Sequence, residues 1–235
     1  MKINGVALEN ELSNRLTGAP YLVTEDLIRH WFIEIHKGAC RIEVPYQRNN
    51  NPKTPLKIRQ NAPKLKTNIY GTVRSRADLY YWGFLEENSR DQEDTVIEFK
   101  FHRDTLYSKC CTATNAGEVF NDLNRLSILE NKEKYLVYVF DSTMKNYYDK
   151  KLACHKHGAQ SPMNVFNTTP NVVGNTYTVD ANFDNEVASS QEFKKMAFSS
   201  FLEQHRFAVF RYRIKMELVN KIGTTGYYLI VAQVL

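Results

Sequence analysis

The sequence predicts an α/β protein with a mixed central sheet flanked by helices, and three stretches carry that prediction. In Thr95-Val-Ile-Glu-Phe-Lys-Phe-His102, residues Ile97, Phe99 and Phe101 alternate with Val96, Glu98, Lys100 and His102, the period-two pattern of a strand with one buried apolar face. In Ala116 to Leu126, apolar residues at 116, 119, 120, 123 and 126 form one helical stripe. Tyr135-Leu-Val-Tyr-Val-Phe140 follows as an uninterrupted apolar strand of the kind covered on both faces.

The remaining elements can be placed in chain order. Leu8, Leu12 and Leu16 have helical spacing, and Thr17-Gly-Ala-Pro20 ends that helix. Thr24 can cap a second helix reaching His36, with Glu25 and Asp26 in its first turn and an apolar face of Leu27, Ile28, Trp31, Phe32 and Ile35. Arg41 to Tyr46 reads as a strand, and Arg76-Ala-Asp-Leu-Tyr-Tyr-Trp82 as another that can pair with Thr95 to His102 as a hairpin. Residues 158 to 188 are rich in Asn, Thr and Pro with little periodicity. Ser189 and Glu192 form a capping box ahead of an amphipathic helix through Phe201. Phe210 to Leu218 alternates as a half-buried strand, turned by Gly223-Thr-Thr-Gly226 into a last strand, Tyr227 to Leu235.

A chain of 235 residues with this composition can form one domain, spanning 1–235. Its core is expected at about 24–141 and a C-terminal helix and β-hairpin extension at about 158–235. No apolar run approaches the ~20 residues of a membrane span, and Met1-Lys-Ile-Asn-Gly lacks the apolar segment of a signal peptide, so a cytoplasmic location is expected. Cys40, Cys110, Cys111 and Cys154 show no C-x-x-C spacing, which favours reduced thiols. Cys154-His-Lys-His157 offers zinc ligands without the second pair that a structural site needs. No Walker A loop, dinucleotide fingerprint or G-x-S-x-G elbow is present.

The candidate chemistry lies at Asp78, Glu98 and Lys100. Nineteen residues separate the two acids, and pairing of their strands could bring them together, with register deciding whether it does. Adjacent carboxylates repel unless a hard divalent cation lies between them, and magnesium takes such oxygen ligands while retaining water. A lysine beside that metal could orient a water and offset charge on phosphate. Glu34, at the edge of the helical stripe near Leu27 and Trp31, is a candidate for a third acid, with Glu25 and Glu11 as further choices. Charge points the same way. Nine basic residues between Arg41 and Arg76 face the single acid Glu43, net +8 against +5 for the whole chain, so the remainder carries −3. Within that proline-rich segment Lys57, Arg59, Lys64, Lys66, Arg74 and Arg76 are the candidate contacts to a polyanionic backbone, joined by His102 on the face of Glu98 and Lys100.

Asp78 followed by Glu98-Phe-Lys100 resembles the core motif of the PD-(D/E)XK nuclease superfamily, although Ala77 stands where the motif has proline. The order helix, three strands, helix, strand over about residues 24 to 141 is similar to that superfamily's core, and Asp122-Leu-Asn-Arg-Leu126 resembles the helix that follows its E-x-K strand. The resemblance implies a restriction-endonuclease-like core and magnesium-dependent hydrolysis of DNA phosphodiester bonds. Manganese would be a substitute metal, and RNA stays open as a substrate. Asp78, Glu98 and the carbonyl of Phe99 would hold the metal, and Lys100 would assist water attack. The chain would act alone, as a homodimer or with a recognition partner. Two other readings stand beside it: a nucleic-acid-binding protein on a nuclease-like fold without turnover, and a toxin, immunity or assembly protein whose basic segment binds an acidic partner.

Overall fold

A computed structural model describes residues 3–18, 20–36, 39–47, 57–58, 76–82, 94–104, 111–129, 133–152, 173–180 and 211–235. Helices α1 (Gly5–Gly18) and α2 (Glu25–His36) are joined through a 3-10 turn, Pro20–Leu22. Strands β1 (Ala39–Gln47), β2 (Lys57–Ile58), β3 (Arg76–Trp82) and β4 (Asp94–His102) follow. Helix α3 (Thr112–Ser127) leads to β5 (Glu133–Asp141), the short α4 (Ser142–Asn146) and a π-helical turn, Tyr147–Leu152. The chain then supplies β6 (Thr176–Asp180), β7 (Arg211–Ile222) and β8 (Tyr227–Val234).

The eight strands form one mixed sheet in the order β2-β1-β3-β4-β5-β8-β7-β6. Only the β4–β5 pair is parallel among the pairings described. A parallel pair needs a crossover from one end of the sheet to the other, and α3 supplies it. The C-terminal hairpin is part of the sheet and not an appendage, because β8 pairs with β5 from Tyr135↔Gln233 to Asp141↔Tyr227. That pairing makes β5 a central strand, and its unbroken apolar run follows from burial of both its faces, Leu136, Tyr138 and Phe140 on one side and Tyr135, Val137 and Val139 on the other.

Two apolar layers enclose the sheet. On one face Leu8, Leu12 and Leu16 of α1 and Ile28, Trp31 and Phe32 of α2 pack on Ile97, Phe99, Val137, Val139 and Val231. On the other, the α3 stripe of Ala116, Val119, Phe120, Leu123 and Leu126 packs on Val96, Leu136, Tyr138, Ile230 and Ala232. Alternation in β4 therefore sends Ile97 and Phe99 toward α2, and Val96 toward α3. Local signals agree with these placements. The Thr24 hydroxyl accepts from Leu27 N–H at 3.3 Å as the N-cap of α2. Asp141 caps α4 by accepting from the Thr143 and Met144 amides. Gly223, at φ +49°, turns β7 into β8 where an added Cβ would lie 2.5 Å from Ser13 Oγ.

Strand β6 and the turns after β5 were not apparent in the sequence; β6 sits in the Asn- and Thr-rich stretch and is held at the sheet edge by β7. The amphipathic helix expected after Ser189 and the Cys154 to His157 cluster lie outside the described residues. Cys40 and Cys111 are free thiols. No described helix is long and apolar enough to cross a membrane.

Phe120 is fully buried where α3 meets the sheet. Truncation there leaves a cavity that neither layer can close, so Phe120→Ala should lower unfolding free energy by about 3–5 kcal/mol, read as a reduced urea midpoint with an unchanged m-value.

Candidate active site

Strand β4 carries Glu98, Lys100 and His102 on the face that α3 covers. Glu98 is 1% exposed and His102 8% exposed, so this charged face is interior, not solvated. A buried charge is tolerated only when compensated, and α3 brings compensation at helical spacing. Asp122 Oδ2 lies 3.1 Å from Lys100 Nζ, Glu118 Oε2 lies 3.4 Å from His102 Nε2, and Arg125 pairs with Asp122 Oδ1. Arg125 stands three residues after Asp122 on α3, the spacing of an ordinary surface ion pair. The pair with Asp122 exists, but it is buried against β4 because position 122 lies beside the apolar stripe that seats the helix.

The other side of the site comes from α2. Glu25, its first residue, accepts from the backbone N–H of Phe101 at 3.2 Å and lies 3.9 Å from Lys100 Nζ. Glu34 does not reach this place. It is exposed and pairs with His30 at 3.2 Å, nine residues further along the helix, about 13 Å at 1.5 Å per residue. The α2 acid that lies beside Lys100 is therefore Glu25, and the signal that could have identified it is its place in the first turn, at the end of α2 nearest the C-terminal half of β4.

The sheet forks at this point. The β3–β4 ladder runs from Trp82↔Asp94 to Leu79↔Ile97, whereas β3 continues beside β1 as far as Pro45↔Arg76. Glu25 takes the Phe101 amide that strand pairing leaves available beyond the ladder. Backbone groups alternate between strand edges with period two, so the carbonyl of Phe99 faces the same edge as the Phe101 amide, while the Phe99 side chain is buried toward α2. The described β3–β4 pairing stops at Leu79↔Ile97, one residue short of Asp78 and Glu98 on their respective strands. The Asp78 side chain lies outside the described residues, as do the side chains of Lys57 in β2 and Arg76 in β3, and all of Arg59, Lys64, Lys66 and Arg74.

His102 corrects an expectation. Its imidazole is not at an exposed strand end available to phosphate; it is enclosed by β5 and α3. Nδ1 lies 3.1 Å from the Tyr138 hydroxyl, which lies 3.2 Å from that of Tyr148. A neutral tautomer in which Nε2–H donates to Glu118 and Nδ1 accepts from Tyr138 satisfies these contacts. Burial holds the imidazole below its ordinary value of 6.5, with Glu118 opposing that shift. The hydrogen bond from His102 in turn lowers the Glu118 carboxyl, against its own burial.

The described groups thus offer a solvent-accessible carboxylate on Glu25, a buried one on Glu98, and the Lys100 amine, whose side chain is 17% exposed. Oxygen donors of this kind suit magnesium, which is held by one or two carboxylates plus water. Among the described residues no three His, Cys, Asp or Glu side chains form a ready metal cage. Compared with known proteins, the chain matches no family model, no curated protein and no solved structure.

His102 is harder to protonate in the fold than in the unfolded chain, so its contribution is complete above 6.5 and is lost as pH falls toward the folded value. Melting temperature should therefore drop between about pH 7.5 and about pH 5, and the drop should be smaller in His102→Gln than in the wild type. Equal drops in the two proteins would assign the acid sensitivity elsewhere; His36, also lowered by burial, would then be the next residue to replace.

Proposed function

We propose that this chain is a metal-dependent nuclease that hydrolyses DNA phosphodiester bonds on a restriction-endonuclease-like core. The observation that carries the reading is the Lys100 amine beside the fork between β3 and β4, 3.9 Å from Glu25, on the strand face that also carries Glu98. The pairing of β3 with β4, which ends one residue short of Asp78 and Glu98, supports it, as does the order of α2, β1, β3, β4, α3 and β5.

In this reading Asp78 and Glu98 hold magnesium, with manganese as a substitute and the Phe99 carbonyl as a third oxygen donor. The metal would supply Lewis acidity toward phosphate. Lys100 holds the attacking water by hydrogen bonding and places positive charge where negative charge accumulates in the transition state. Glu25 is open enough to accept a proton from that water and replaces Glu34 as the third acid. The basic segment through Lys57, Arg59, Lys64, Lys66, Arg74 and Arg76 draws the polyanion to the fork by neutralising backbone phosphates and releasing their counterions.

Cleavage of single- and double-stranded DNA and of RNA, with and without magnesium or manganese, tests the reading. Lys100→Ala should reduce single-turnover cleavage by about two or more orders of magnitude, as loss of a transition-state stabiliser does, with DNA affinity nearly intact. Asp78→Ala should abolish metal-dependent cleavage, and Glu25→Gln should impair it far more than Glu34→Gln. Salt-sensitive binding of DNA without cleavage by the wild-type protein would favour a binding protein without turnover. No salt-sensitive affinity at all would favour an assembly, toxin or immunity protein.

Neutralising Lys57, Arg59, Lys64 and Lys66 together should weaken DNA binding and flatten the dependence of log K on log salt by about 0.9 for each phosphate no longer neutralised. An unchanged slope would move the binding surface elsewhere on the molecule.

A further inference from the structure

We propose that Asp122 is the positioning residue that fixes the Lys100 amine at the fork, a role that rests on the nuclease reading for its catalytic consequence but not for its geometry. The Asp122 side chain is 2% exposed and its two oxygens have different partners, Arg125 at Oδ1 and Lys100 at Oδ2. The Lys100 contact is a close ion pair without the angle of a directed hydrogen bond, so charge more than hydrogen-bond direction holds the amine.

The two cations differ in what they can fix. Arg125, one turn after Asp122 and itself largely buried, presents a planar guanidinium that anchors the carboxylate. Lys100 has a flexible four-carbon stem whose terminal charge can swing. Its alternative partner is Glu25, more distant and more exposed. Removal of the Asp122 charge would leave Glu25 as the other described carboxylate within 4 Å of the amine, and the stem would shift toward it at the β3 side of the fork. Displacement of a reacting group by ~1 Å can cost on the order of a hundredfold in rate. Helix α3 sets the position because its stripe at Ala116, Val119, Phe120, Leu123 and Leu126 prevents the helix from rotating on the sheet.

Asp122→Asn keeps the volume and removes the charge. Two measurements on the full chain test the proposal. The first uses neither metal nor DNA: the rate of Lys100 acetylation by an N-hydroxysuccinimide ester, followed by peptide mass spectrometry, should rise several-fold as the amine is released from its cover. The second is single-turnover cleavage at saturating DNA, which should fall about tenfold to a hundredfold, the usual cost of losing a group that orients a metal-site residue, while DNA affinity holds. In a Lys100→Ala background the Asp122→Asn loss should disappear, because the carboxylate acts through the amine. Unchanged acetylation overturns the proposal, and so do independent, multiplying losses in the double variant. A wild-type protein that cleaves nothing ends the nuclease reading, and acetylation alone then decides whether Asp122 holds Lys100. Should Asp122→Asn fail to fold, Arg125→Lys loosens the same carboxylate and must raise acetylation; no rise there overturns the proposal as well.

Discussion

The structure depends on burying a charged face of its central strand. β4 has apolar side chains toward α2 and Glu98, Lys100 and His102 toward α3, and both faces are covered. Moving an ion from water into a protein interior costs several kcal/mol unless partners replace its hydration. Helix α3 can seat its stripe on the sheet only because Glu118, Asp122 and Arg125, one helical turn apart beside that stripe, meet those groups. A rotation or slip of α3 would break both the apolar contact and the charge pairing. The same rows of residues therefore fix the register of the β4-α3-β5 crossover and the position of the Lys100 amine.

Much of the frame was readable because its signals are local. The Leu8, Leu12 and Leu16 spacing, the Thr24 cap, the alternation in β4 and the α3 stripe each depend on residues a few positions apart, and each element forms where its pattern lies. β3 spans Arg76–Trp82 as its alternation with aromatic residues suggests. What escaped depends on contacts distant in sequence. Alternation in β4 showed that the charged residues share one face, but charge on a strand usually marks solvent. Only the packing of α3 makes that face interior. Which α2 acid meets β4 was illegible for a related reason: position on a helical projection says nothing about which end of the helix lies against the strand, and Glu25 touches Phe101 across seventy-six residues of chain.

The fork between β3 and β4 has no local signature either. Both strands carry patterns that could support a longer ladder, yet β3 stays with β1 as the β4 pairing ends at Leu79↔Ile97. A backbone amide released from a ladder must find another acceptor, and Glu25 meets that need for Phe101. A carboxylate is thereby drawn to the strand edge beside Lys100, where an unbroken ladder would have placed main chain.

Charge sets the last constraint on how such a place could act. Among the described residues, the surroundings of Lys100 hold the acids Glu25, Glu98, Glu118 and Asp122 against the cations Lys100 and Arg125, with His102 neutral in its buried tautomer. An isolated site of that balance repels a phosphate backbone, and the two cations are already committed to carboxylates. On the proposed reading, approach of a polyanion then requires charge from outside the cluster. A divalent metal at Glu98 and Asp78 would change the balance at the site, and the net +8 of residues 41 to 76 would change it over a longer range. The two act at different steps, since exposed charge beyond a Debye length of roughly 8–10 Å is screened by salt while buried charge is not. Attraction of the substrate would therefore be salt-sensitive, and the chemistry at Lys100, shielded under α3, much less so.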